Sequence, residues 1–208
     1  PSESIPRLRV LIEQRPQDAF LRSVLADVLY RNQQYLEAKA ILDPVIDDRP
    51  SGGSAEFWII DAVVHEKIAQ TAQNRSELFA RAKTSAAEAI RLNPTVPEAF
   101  MAAAQVAEAE GDHLSAERDW RKAAELSQNP RSIFKLKAAA WRNVAQLGES
   151  NRAADALLAL AEEAGQDIPE VQLEAAVAAH LAGRLDIASE LSQRLNETYR
   201  SIYLGRIR

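Results

Sequence analysis

Pairs of alanines recur along the chain at a nearly constant interval. Ala26 precedes Ala38 by twelve positions, Ala104 precedes Ala116 by twelve, and Ala176 precedes Ala188 by twelve. Ala62 to Ala82 and Ala138 to Ala153 are the same pair with extra residues between, at spacings of twenty and fifteen. Two helices approach closely only where both contacting side chains are short, so each pair marks the contact inside a helical hairpin. A repeated hairpin cannot bury its apolar face alone. It must stack on its neighbours and share one continuous core with them, which favours holding a partner over enclosing a catalytic cleft.

Apolar residues follow each second alanine at three- and four-residue steps: Leu42 and Val45, then Ala86 and Ala89, Trp120 and Ala123, Leu157 and Leu160, and on to Leu195 in the fifth unit. That is the period of a helix with one buried stripe. The connections agree. Gly111, Gly148 and Gly183 stand just before second helices, where a positive φ ends the preceding helix, and Asn32-Gln33-Gln34 fills that place in the first hairpin. Pro50, Pro94 and Pro130 punctuate the units, and Pro97 and Pro169 open first helices, where the missing N–H costs nothing.

With these residues in place the chain resembles a tetratricopeptide-repeat protein, whose unit is a 34-residue helix–turn–helix. Residues 19–52 match that length through Leu25-Ala26, Leu29, Ala38, Leu42, Val45 and Pro50, and residues 97–130 through Ala103-Ala104, Ala107, Ala116, Trp120 and Ala123. Residues 55–96, 131–167 and 169–202 are looser copies, residues 1–18 read as a second-type helix lacking its partner, and 203–208 as a terminal extension. The resemblance implies an all-α, right-handed α-solenoid of five hairpins as a single domain. The leading helix and Ile202, Leu204 and Ile207 at the other end suggest a segment cut from a longer solenoid, because such arrays finish with polar caps. Two departures stand out. The aromatic near the start of the first helix is kept as Trp58, Phe100 and Phe134 but shifted in the first and fifth units. Extra chain within Ala69–Phe79 predicts a hairpin lengthened in both helices into a protruding knuckle, with Asn74 or Ser76 as N-cap and Glu77 completing a capping box.

The chemistry-bearing motifs are missing. There is no phosphate-cradling glycine loop and no nucleophile elbow, and His65-Glu66 is followed by Ala69 where a helical zinc motif needs its second histidine. His65, His113 and His180 fall in different units without metal-ligand spacing and read as structural, with His180 facing the groove. Trp58, Trp120 and Trp141 sit beside the packing alanines and read as core. We therefore expect no enzyme activity, cofactor or metal.

In this family the first helices line a concave surface where ligands lie, and the face opposite each packing alanine nominates its residues. They are Phe20, Asp27 and Tyr30; Glu56, Ile59, Val63 and Glu66; Glu98, Met101, Gln105 and Glu108; Lys135 and Arg142; and Leu173 and His180. The carboxylates of the first three units favour a protein or peptide partner carrying basic and apolar residues. The Lys and Asn clamp that one branch of the family closes on chaperone tails is replaced by Ser23, Asp27, Ile59 and Val63. A net charge of −5, with only Arg200, Arg206 and Arg208 forming a basic tip, argues against nucleic acid. The sequence has no cysteine and no run of apolar residues that could span a bilayer, and leaves the compartment open between cytoplasm and periplasm. Two alternative settings fit the same repeats: a periplasmic segment of a bacterial secretion or polysaccharide-export assembly, and the recruitment domain of a larger enzyme.

Overall fold

The structure, a computed structural model, describes residues 4–48, 53–165 and 167–207. Pro50 and Arg208 lie outside the described residues. Among those described there are twelve α-helices and no strand, in two compact units, 1–110 and 111–208.

The first unit contains α1 (Ser4–Gln14), α2 (Ala19–Arg31), α3 (Tyr35–Asp48), α4 (Ala55–Ala69), α5 (Arg75–Leu92) and α6 (Pro97–Glu110). Helix starts follow their capping chemistry: Asp18 accepts from the Leu21 N–H at 3.1 Å and Ser54 from that of Phe57 at 3.3 Å. The α2–α3 turn closes through Gln33 in the left-handed region, φ 61°. Ala26, Ala38, Leu25, Leu29, Leu42 and Phe57 are wholly buried, so the alanine pairs do mark the packed sides of the helices. Pro44 lies inside α3 and removes one backbone donor there. Arg22 of α2 reaches across the hairpin to the neighbouring Ile41 carbonyl at 2.7 Å.

The long hairpin is α4–α5, with fifteen and eighteen residues against thirteen and fourteen in α2 and α3. Its extra length does not project bare into solvent. Leu78 and Phe79 pack with Ala69, Ala82 and Val106 of α6, and Arg75 lies over the Phe79 ring while donating to the Ala109 carbonyl at 3.1 Å. Burial of one large aromatic and one leucine offsets the ordering of the added turn. Asn74 is the N-cap residue, but its side chain makes no capping bond. It donates instead to the Glu77 carboxylate at 3.4 Å, so the capping box does not form.

The second unit contains α7 (His113–Leu126), α8 (Pro130–Gln146), α9 (Ser150–Ala164), α10 (Pro169–Leu181), α11 (Leu185–Arg194) and α12 (Glu197–Arg206). Its core gathers Leu157, Leu160, Val171, Ala175 and Ala176 with Leu191, Leu195 and Tyr203. The fifth hairpin does not run on to residue 202. Leu195 turns extended and Asn196 starts a new helix by accepting from the Tyr199 N–H at 3.1 Å. Residues 203–206 of the expected tail are thus the end of α12, which packs on α10. Trp58 and Trp120 are buried, whereas Trp141 is half-buried between the guanidinium groups of Arg121 and Arg152.

Candidate functional site

The first helices of the first unit form a groove of about 530 Å³. Phe20, Val24 and Val28 enter it from α2, Ile59 and Ile60 from α4, and Val96 from the approach to α6. Asp27, Glu56 and Glu98 supply carboxylates. Phe20 is 67% exposed, an unusual place for a phenylalanine that no neighbour covers. Asp27 is held by Arg31, one turn on, at 2.8 Å. The Glu56 carboxyl sits below the ordinary glutamate range because it accepts from Ser54 and from its own backbone N–H at the start of α4.

The structure relocates several residues that the repeat pattern puts on the exposed stripe. Val63 and Glu66 are buried, at 8% and 1% exposure, and Leu173 is buried at 6%. Val63 packs with Ala62, Ala86 and Ala102, because the face of α4 that looks free in one hairpin is covered by the next first helix. Glu66 is tied down locally, accepting from Gln70 and lying 3.2 Å from the Lys67 ammonium. Tyr30 is half-buried against Tyr35, ring centroids 5.6 Å apart, and burial raises its hydroxyl pKa. Met101, Gln105 and Glu108 are half-buried on α6.

The two basic groove candidates of the second unit are engaged. Lys135 pairs with Glu170 at 2.5 Å, and Arg142 with Glu174 at 2.9 Å. Burial would raise the Glu170 pKa, but Lys135, its own helix N–H and the Tyr199 hydroxyl outweigh it and hold the carboxyl low. His180 contacts the Tyr203 hydroxyl at 3.3 Å. His113 meets the buried Asn143 carbonyl oxygen at 2.9 Å, and His65 is buried, its Nδ1 2.9 Å from the Asp61 carbonyl. Among the described residues no group of three or more His, Cys, Asp or Glu could hold a metal, and no helix is long and apolar enough to cross a membrane.

Val24, Val28, Ile60 and Val96 are the apolar groove residues that spacing did not nominate. The first three flank the stripe by one or two positions. Their signal was β-branched side chains on the shoulder of a first helix, which a one-residue-wide stripe leaves out.

Stacked helical hairpins with small residues at their contacts and an open first-helix groove have the tetratricopeptide-repeat fold, an all-α helical-repeat architecture. Three solved structures show it. The structure of YrrB, described as a TPR protein with an unusual peptide-binding site, aligns over 90% of this chain and 89% of its own, with TM-score 0.60 and 18% identity. MamA aligns over 85% and 88%, with TM-score 0.59 and 14% identity. Yeast Tom70 covers the whole chain at TM-score 0.59 and 15% identity, but this chain spans only 42% of Tom70. No family model matches the sequence, and no curated protein matches it by sequence.

Proposed function

We propose that this chain is a non-catalytic interaction scaffold that holds a peptide or protein segment in the groove of its first unit. The observation that carries the reading is the groove itself: an apolar floor with an uncovered Phe20 at one edge and carboxylates around it. Exposed aromatic anchors in a concave apolar setting are what binding hot spots are made of. The peptide-binding site described for YrrB supports the same use of this fold. The groove's acidic rim suits a partner with basic and apolar residues and opposes nucleic acid, whose phosphates it would repel.

The test is a fluorescence-anisotropy screen of an immobilisation-free library of dodecapeptides against the wild type and Phe20→Ala. Peptides that bind the groove should lose affinity about thirtyfold in the variant, the scale of an aromatic hot spot, while the melting temperature stays put because Phe20 packs against little. Binders indifferent to Phe20→Ala would place recognition elsewhere and overturn the assignment.

A further inference from the structure

We propose that the groove takes a lysine or arginine side chain of its peptide ligand between Glu56 and Glu98, the place that the chain's own Lys135 fills in the second unit. This rests on the groove reading above and gives it a register.

Equivalent repeat positions carry different partners in the two units. Glu56, Glu98 and Glu170 each stand six residues before the packing alanine of their first helix, Ala62, Ala104 and Ala176. Each is the second residue of its helix. The residue three before the packing alanine of the preceding first helix is Ser23, Ile59 and Lys135, respectively. In the second unit that pairing is an ion pair, Lys135 to Glu170 at 2.5 Å. In the first unit the same rungs hold no cation. Ser23 turns its hydroxyl to the Phe20 carbonyl at 2.8 Å, and Ile59 has no charge to offer.

All four residues of these two rungs, Ser23, Glu56, Ile59 and Glu98, line the one groove. Among the described residues, no lysine, arginine or histidine makes an ion pair with Glu56 or Glu98. The guanidinium that does line the groove, Arg31, is engaged by Asp27 at 2.8 Å. Two carboxylates lining one apolar trough raise the local negative potential, which an incoming ammonium or guanidinium relieves. Beside them Phe20, Val24 and Ile60 offer apolar surface, so the complementary ligand is a peptide segment with a cation flanked by large apolar residues. The second unit needs no such ligand at Glu170, whose cation is supplied from within the chain.

The experiment uses three fluorescein-labelled dodecapeptides of alternating leucine and alanine. One carries two central lysines, the second carries glutamine in their place and the third glutamate. The lysine peptide should bind the wild type one to one, at least tenfold tighter than the glutamine peptide, and weaken as salt rises. Ile59→Lys, which rebuilds the second-unit pair inside the groove, should abolish that preference. Glu56→Gln/Glu98→Gln, changed at exposed positions and so expected to fold normally, should abolish it too. Equal binding of the lysine and glutamate peptides, or a lysine preference that survives in the double variant, overturns the proposal. If the glutamine peptide binds as well as the lysine peptide and both are sensitive to Phe20→Ala, the groove reading stands and the cation site falls. If no peptide binds, both fall.

Discussion

Ser85 Oγ, on α5, donates a hydrogen bond to Asp61 Oδ2 on α4, and neither side chain is reached by solvent. Arg81 Nε approaches the same oxygen at 3.1 Å, and His65 Nδ1 lies 3.3 Å from the other. Both neighbours of that ring nitrogen, the Asp61 carbonyl and carboxylate, are acceptors, so Nδ1 carries a hydrogen. This buried polar node locks α5 to α4, the second of which lines the groove, and it has a pH signature.

Burial alone would raise the Asp61 pKa, but the bonds and charges of His65, Ser85 and Arg81 outweigh it and hold the carboxyl below the ordinary range. The folded pKa therefore lies below the unfolded one. Its stabilisation is fully present above the unfolded value, about 4, and is lost as pH falls through the folded value. Denaturant titrations from neutral pH into that acid range should show wild-type stability falling, and Asp61→Asn should flatten that part of the profile. Asp61→Ala, which strands three donors, should cost about 3 kcal/mol, the lower end of the range for breaking a buried charged pair because Arg81 keeps some access to water. A variant as stable as wild type at neutral pH would show that the node is not holding the hairpin.

Phe79, 2% exposed, anchors the lengthened end of the α4–α5 hairpin. Phe79→Ala should cost about 3–5 kcal/mol, as for other buried aromatics. Chemical denaturation will measure it, and a loss under 1 kcal/mol, the scale of a surface change, would mean that the extension packs on nothing that matters to stability.

The fold was legible because Ala26, Ala38, Ala104, Ala116 and their equivalents signal close helix contact in a way that propensity cannot. Three things escaped. Pro44 sits inside α3, where no local pattern signals that the helix runs on through a residue lacking an N–H. The start of α12 at Asn196 was masked because Leu195 continues the apolar stripe of α11 by spacing while its backbone has already turned extended. Val63, Glu66 and Leu173 look exposed in a single hairpin but are buried, Val63 because the next first helix packs on it through Ala102. The same stacking sets Lys135 against Glu170 and Arg142 against Glu174, so a basic stripe read along one helix is neutral in three dimensions. Site residues are harder to read than core residues in a repeat because one alanine fixes a helix's packed side, whereas exposure depends on both neighbours.

Four connections that precede a second helix contain a residue with positive φ. Gln33 has φ 61°, where Gly111, Gly148 and Gly183 have φ between 75° and 91°. A Cβ at Gly148 would meet nothing within 4 Å, so the cost of Gly148→Ala is conformational alone, about 1–2 kcal/mol. The converse change, Gln33→Gly, relieves that strain but loosens the unfolded chain, for a net gain under about 1 kcal/mol. Melting temperatures of the two variants should move in opposite directions. Movement in the same direction would show that the side chain of Gln33 contributes more than its backbone costs.

Arg142 of α8 and Arg206 of α12 both donate to Glu174 Oε1, each at 2.9 Å, with Glu174 itself only 8% exposed. One carboxylate thus bridges two guanidinium groups that would otherwise repel, and fastens the last helix to α10 and, through it, to α8. Glu174→Gln keeps the shape and removes the charge. The two arginines retain partial access to water, so the loss should be about 2–3 kcal/mol, that of charge-assisted hydrogen bonds without a stranded ion. Tyr203 packs over His180 with ring centroids 6.2 Å apart, and Tyr199 bonds Glu170, so α12 should loosen rather than detach. Hydrogen exchange is the discriminating measurement. Amides of residues 197–206 should exchange faster in Glu174→Gln while those of α2 to α5 keep their wild-type protection. Unchanged exchange in α12 would mean that the tyrosines hold it without the carboxylate.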